Sequence, residues 1–203
     1  MRDLIFDKPT IVLGSASPRR KEILEKHGID FVQRVLPTNE DELNVTIKHE
    51  GVSKRFTKNY VNMLALEKQK PFRGITKNGA VITSDNVVWC GGRILEKPLT
   101  IERCREQQKF ISGKTCYVFN SHAVYFNGKS AEKVKQTRVN FDKLPKELIE
   151  TICNDPLSLD AAGFRIQSHI GPYSFYKYDE LDNILGLYVP TVKKLLEKVG
   201  FNS

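Results

Sequence analysis

The stretch Ile11-Val12-Leu13-Gly14-Ser15-Ala16-Ser17-Pro18-Arg19-Arg20-Lys21-Glu22-Ile23-Leu24 constrains this chain more than any other. An apolar run suited to a strand gives way to three small residues that permit a tight turn, then to Ser17 and Pro18. Serine offers an oxygen for an N-cap, and proline suits the first helical position because its missing N–H would be unpaired there anyway. Strand, turn and helix are therefore predicted in that order, with the helix over about 18–27 and Gly28 ending it. The first helical turn carries Arg19, Arg20 and Lys21, although the positive end of a helix dipole repels cations. Three cations beside unpaired backbone N–H groups fit an anion lodged among them, a polyphosphate above all. A basic, solvated helix start is the plainer alternative.

Strand and helix signals continue to alternate. A strand over 9–14 and another at 31–35 flank the first helix, a polar loop spans 36–51, and a helix runs over about 52–70 with Val52, Phe56, Tyr60 and Leu64 at four-residue spacing. Residues 80–90 read as a strand, Gly91-Gly92 as a turn, and 93–95 as a short strand. Thr100 caps a helix to about 111. The strand 115–126 meets Asn127-Gly128, a strong hairpin signal, and pairs with 132–141. A helix is expected at 145–153, strands and loops between 155 and 188, and a last helix opened by Pro190 and followed by Gly200. This is a mixed α/β pattern, parallel early and antiparallel later.

Its 203 residues suit a single domain over 1–203, large enough to bury a substantial core. With 40% hydrophobic and 28% charged residues the composition is that of an ordinary globular protein. No segment approaches the ~20 apolar residues of a membrane span, and the N-terminus lacks the apolar run of a secretory signal. Cys90, Cys104, Cys116 and Cys153 are scattered without metal-binding spacing, so reduced thiols and a cytoplasmic setting are expected. The net charge of +8 favours anionic partners. Its dispersal along the chain, without aromatic RNA-binding motifs or zinc-finger spacing, argues against a nucleic-acid module.

A few positions carry chemistry. Asp85 interrupts an apolar run between Val81-Ile82 and Val87-Val88, and a carboxylate inside a buried strand costs several kcal/mol unless paired or metal-bound. Thr83-Ser84-Asp85-Asn86 also suits a hairpin turn, and the segment alone does not choose. Lys68 lies four residues after Leu64 and seven after Val61, on the apolar side of its helix, unless it only complements the helix C-terminus. Lys97 precedes Pro98, which holds it extended. Glu40, Asp41 and Glu42 follow Pro37 and could join Mg²⁺ to substrate phosphates, or be a solvated acidic loop. Gln167 could offer its amide to a base edge. Neither of the standard glycine-rich phosphate loops is present, and the four histidines match no zinc helix.

In their order and spacing these segments resemble the Maf family of nucleotide pyrophosphatases. The matching pieces are Ser15-Ala16-Ser17-Pro18-Arg19-Arg20, Glu42, Ala65-Leu66-Glu67-Lys68, Asp85 in its strand, Lys97-Pro98, Thr137-Arg138-Val139-Asn140-Phe141, Ala161-Ala162-Gly163-Phe164-Arg165-Ile166-Gln167 and Asn183-Ile184-Leu185-Gly186-Leu187. The resemblance implies a fold similar to the inosine-triphosphate pyrophosphatases: an elongated mixed β-sheet flanked by helices, in two lobes with a central cleft. It implies hydrolysis of a nucleoside triphosphate to the monophosphate and pyrophosphate with Mg²⁺ or Mn²⁺. Arg19, Lys68 and Lys97 would hold phosphate oxygens. Asp85 would direct the water or bind metal, with Glu42 as second carboxylate. Ser15, Ser17, Arg20 and Gln167 would bind substrate. Arg19, Arg20 and Gln167 resemble the branch acting on dTTP and UTP; the other branch prefers 7-methyl-GTP. A homodimer is implied as well, and the charge and hydropathy patterns lead us to expect no membrane or stable nucleic-acid partner. The chain departs from the family pattern at Asn86, Glu96, Asp160, Ala162 and Tyr188, which keeps a catalytically weak nucleotide-binding regulator of cell division as the alternative.

Overall fold

The computed structural model describes residues 3–39 and 49–201. Among them are seven strands: β1 (Leu4–Leu13), β2 (Val32–Gln33), β3 (Thr76–Cys90), β4 (Arg93–Leu95), β5 (Thr115–Phe126), β6 (Lys129–Phe141) and β7 (Ser174–Phe175). They form one mixed sheet in the order β2-β1-β3-β5-β6-β7, with β4 added to β3. The β2–β1–β3 pairings are parallel; those from β3 through β5 and β6 to β7, and of β3 with β4, are antiparallel. Among the described residues seven α-helices accompany the sheet: α1 (Pro18–Lys26), α2 (Lys54–Gln69), α3 (Ile101–Ile111), α4 (Lys146–Cys153), α5 (Pro156–Leu159), α6 (Leu181–Leu185) and α7 (Val189–Val199). The architecture is the mixed α/β one expected.

One long strand organises the molecule. β3 runs for 15 residues. One of its edges carries β5 from Val81 to Cys90. The other edge is shared: β1 pairs with it as far as Ile82, and β4 only from Val88 onward. Between them the backbone of residues 83–87 has no strand neighbour on that edge among the described residues, so the sheet is split beside Asp85. The core divides about the same point. At one end Leu13, Ile82 and Val124 pack with Ile23 and Leu24 of α1 and with Val192, Leu195 and Leu196 of α7. At the other, Val88, Cys116 and Val118 pack with Ile111 of α3 and with Ile149 and Ile152 of α4. These are the two lobes.

The structure excludes the hairpin-turn reading of 83–86, because β3 passes straight through those residues. It also changes the reading of 155–188. Asp155 caps the short helix α5 by accepting the Leu157 N–H at 3.0 Å, and a second helix, α6, ends on Gly186. Asn127 and Gly128 turn β5 into β6 with φ values of +45° and +81°, which is why glycine and asparagine stand there. The four cysteines are buried free thiols. No helix among the described residues is long and apolar enough to cross a membrane.

Candidate active site

Side chains alternate along β3, so Thr83, Asp85 and Val87 face one way, Ser84 and Asn86 the other. The odd face meets α2. The Thr83 hydroxyl donates to the Ala65 carbonyl at 2.8 Å, and Val87 packs with Tyr60, Val61 and Leu64. One turn beyond Leu64 the same helix face presents Lys68, whose Nζ reaches Asp85 Oδ2 at 2.6 Å. Asp85 Oδ1 accepts the Asn86 N–H at 2.7 Å. Both groups are largely covered, with side-chain exposures of 12% for Asp85 and 19% for Lys68. The cost of burying the carboxylate is met by that cation and that N–H, and the carboxylate is held in a fixed orientation.

The even face is braced from behind. Ser84 Oγ lies 3.0 Å from the Gly186 carbonyl, which also accepts from Arg20 Nε at 2.9 Å. Arg20 Nη1 donates to Ser15 Oγ at 2.8 Å. Arg20 is buried, and these bonds tie the β1–α1 turn to β3 and α6. Ser17 sits at the N-cap with extended backbone but makes no side-chain cap bond. Its N–H instead donates to Ser15 Oγ at 3.2 Å. The Ser15 carbonyl is fixed by Gln33 Nε2 at 2.7 Å. The turn therefore comes preset, stapled by residues 15, 20 and 33. Gly14 is required where it stands, since a Cβ there would lie 2.8 Å from Thr83 Cγ2 and 3.0 Å from the Phe72 ring.

Two hollows adjoin at the Lys68–Asp85 contact. One, of about 290 Å³, is lined by Gly14 to Ser17, Arg20 and Lys68. The other, of about 330 Å³, is lined by Asp85, Lys97 and an apolar floor that includes Tyr60, Leu64 and Ile94. Ser15, Ser17, Arg20 and Lys68 thus share one hollow, Asp85 and Lys97 the other, and the ion pair joins them. Lys97 is exposed on the rim, 2.7 Å from Asp160. Arg19 is exposed on the first turn of α1 and lines neither hollow, and Gln167 is likewise exposed and outside both. Glu42, with its neighbours Glu40 and Asp41, lies outside the described residues.

Compared with known proteins, residues 10–199 match the model of the family described as Maf-like protein. The chain belongs to the Maf family. Relatives include a dTTP/UTP pyrophosphatase of Acholeplasma laidlawii, 30% identical over 93% of this chain and 94% of that protein. A dTTP/UTP pyrophosphatase of Pyrococcus abyssi is 30% identical over 94% and 96% respectively. A nucleoside triphosphate pyrophosphatase of Chlamydia pneumoniae is 28% identical over 95% of each. Within this Maf fold, the residues noted as departures occupy definite places. Glu96 meets His49 Nδ1 at 2.9 Å, Asp160 meets Lys97, Ala162 lines the second hollow, and the Tyr188 N–H donates to His122 Nε2 at 2.8 Å.

Sequence reasoning missed His49, Tyr60 and Leu99 as parts of the second hollow. Tyr60 and Leu64 carried a signal, since both fall on the apolar stripe of α2 that leads to Lys68. Leu99 and His49 carried none, because their placement depends on where β4 joins β3.

Proposed function

We propose that this chain hydrolyses nucleoside triphosphates, dTTP and UTP foremost, to the monophosphate and pyrophosphate. The carrying observation is the Lys68–Asp85 pair, which sets a fixed carboxylate and a cation at the junction of two hollows in the split of the sheet. The names of the relatives support the substrate class.

In this reading water attacks the α-phosphorus in line, the bond from α-phosphorus to the α–β bridging oxygen breaks, and that oxygen leaves on pyrophosphate. Such a reaction needs placement and charge neutralisation more than covalent chemistry. Asp85 orients the water and takes its proton. Each carboxylate oxygen has more than one acceptor position, so the bonds from Lys68 and Asn86 leave room for it. Lys68 and Lys97 stabilise charge on the phosphates and on the departing pyrophosphate. Arg20, locked between Ser15 and Gly186, keeps the β1–α1 turn in shape and contributes positive charge to its hollow.

A divalent ion, Mg²⁺ or Mn²⁺, belongs to the proposal. No cluster of three or more His, Cys, Asp or Glu exists among the described residues, so the fit is to an ion held by Asp85 together with substrate oxygens. Bound there it would neutralise charge on the phosphates. The test is a pyrophosphate-release screen over dTTP, UTP, CTP, GTP and 7-methyl-GTP with each metal. Release fastest from dTTP or UTP is expected. Binding of these nucleotides without release would instead favour the regulator.

A further inference from the structure

Leu99 stands at the wall of the Asp85 hollow, two residues after Lys97, and is 65% exposed. Its φ is +63°. The other non-glycine residues of positive φ among the described residues are Asn78 and Asn127, and asparagine tolerates that region far better than leucine does. Such strain persists where the surroundings over-determine it. Here the Leu99 N–H donates to the Leu159 carbonyl at 3.1 Å, which holds the backbone of Leu99 against the end of α5. The result is a large apolar side chain held out of the core at the mouth of a hollow with an apolar floor.

We infer that Leu99 is a specificity-determining residue whose side chain closes over the nucleoside part of the substrate while the phosphates run toward Lys68. This rests on the pyrophosphatase reading, because a nucleoside is what the hollow would receive beside Asp85 and Lys97. Tyr60, Leu64, Val87 and Ile94 line the same hollow and add apolar surface to it. The contact is to the nucleoside and not to the phosphates, so it separates the two halves of the ligand.

The experiment titrates uridine monophosphate and inorganic pyrophosphate, products that the enzyme does not consume, into the full chain and into Leu99→Gly, Leu99→Ala and Leu99→Met. Partial burial of one leucine side chain corresponds to a loss of ~5-fold or more in monophosphate affinity for Leu99→Gly and Leu99→Ala. Pyrophosphate affinity stays within about twofold, and Leu99→Met restores most of the monophosphate affinity, because its side chain remains long and apolar. Glycine relieves the backbone, so Leu99→Gly melts no lower than the unmodified chain. Unchanged monophosphate affinity in Leu99→Gly would overturn the inference. So would joint weakening of both ligands with a lowered melting temperature, a change confined to oligomeric state, or no monophosphate binding by the unmodified chain. Failure to release pyrophosphate from any triphosphate would overturn the hydrolytic reading instead, and the titrations would still decide the role of Leu99.

Discussion

At the scale of single residues, Lys68 and Asp85 act as one unit. Each is largely buried, and removing Lys68 takes from the buried carboxylate the cation that faces it. Lys68→Met is expected to lower stability by about 2 kcal/mol, below the ~3–5 of a fully buried broken pair because both groups keep some solvent. The Lys68→Met, Asp85→Asn double variant should recover part of that loss, as a double-mutant cycle in denaturant would measure. Additive losses would mean that the two side chains do not depend on one another. Lys97 is different. It sits in solvent against Asp160, where an ion pair contributes little to stability. Lys97→Met should leave the unfolding midpoint nearly unchanged while raising the KM for triphosphate; an unchanged KM would remove Lys97 from the phosphate path.

At the scale of elements, the site depends on how closely the β1–α1 turn approaches β3. Gly14→Ala would press a methyl group onto Thr83 and Phe72, at a cost of ~1–3 kcal/mol if the neighbours must shift. The turn would be pushed away from Lys68, so turnover should fall as well; a variant with unaltered activity and stability would show that the contact is slack. The motif at residues 11–24 made this element legible in sequence, because the strand, turn, proline and dipole-violating cations all agree. Asp85 was legible only as an anomaly. Its alternation on β3 is clear once the strand is known to continue, but Thr83-Ser84-Asp85-Asn86 has the local chemistry of a turn. What makes it a strand is pairing with Asn120–Ala123 of β5, which lies over thirty residues away. The stretch 155–188 was obscure for a related reason. Its helices are only four and five residues long, too short for periodicity to register. The family resemblance implies that Arg20 binds substrate. Its bonds to Gly186 and Ser15, set by contacts 166 and 5 residues apart, are made by the tertiary fold.

At the scale of the whole molecule, two lobes share one long strand and the split in the sheet falls between them. Behind that split lies His122, fully buried, its Nε2 accepting the Tyr188 N–H at the start of α7. Burial, reinforced by the positive charge of Arg20, pushes its pKa down to about 3. The unfolded chain takes up a proton near the ordinary histidine value of ~6.5, whereas the native ring stays neutral until about pH 3. The unfolded state therefore binds more protons across that window, and stability falls as the pH drops through it. His122→Gln keeps an acceptor for the Tyr188 N–H and removes the titration. Its melting temperature should decline less steeply between pH 6.5 and 4 than that of the unmodified chain; equal slopes would show that His122 does not set the acid sensitivity.

The most direct test of the hydrolytic site is pyrophosphate release from UTP and dTTP with Mg²⁺, compared between the unmodified chain and Asp85→Asn, with both confirmed to be folded at the assay temperature. A loss of at least ~10²-fold in turnover is expected for Asp85→Asn, the contribution typical of a positioned acid–base group. Turnover at the normal rate by that variant would contradict the assignment of Asp85, and with it the role given to the split in the sheet.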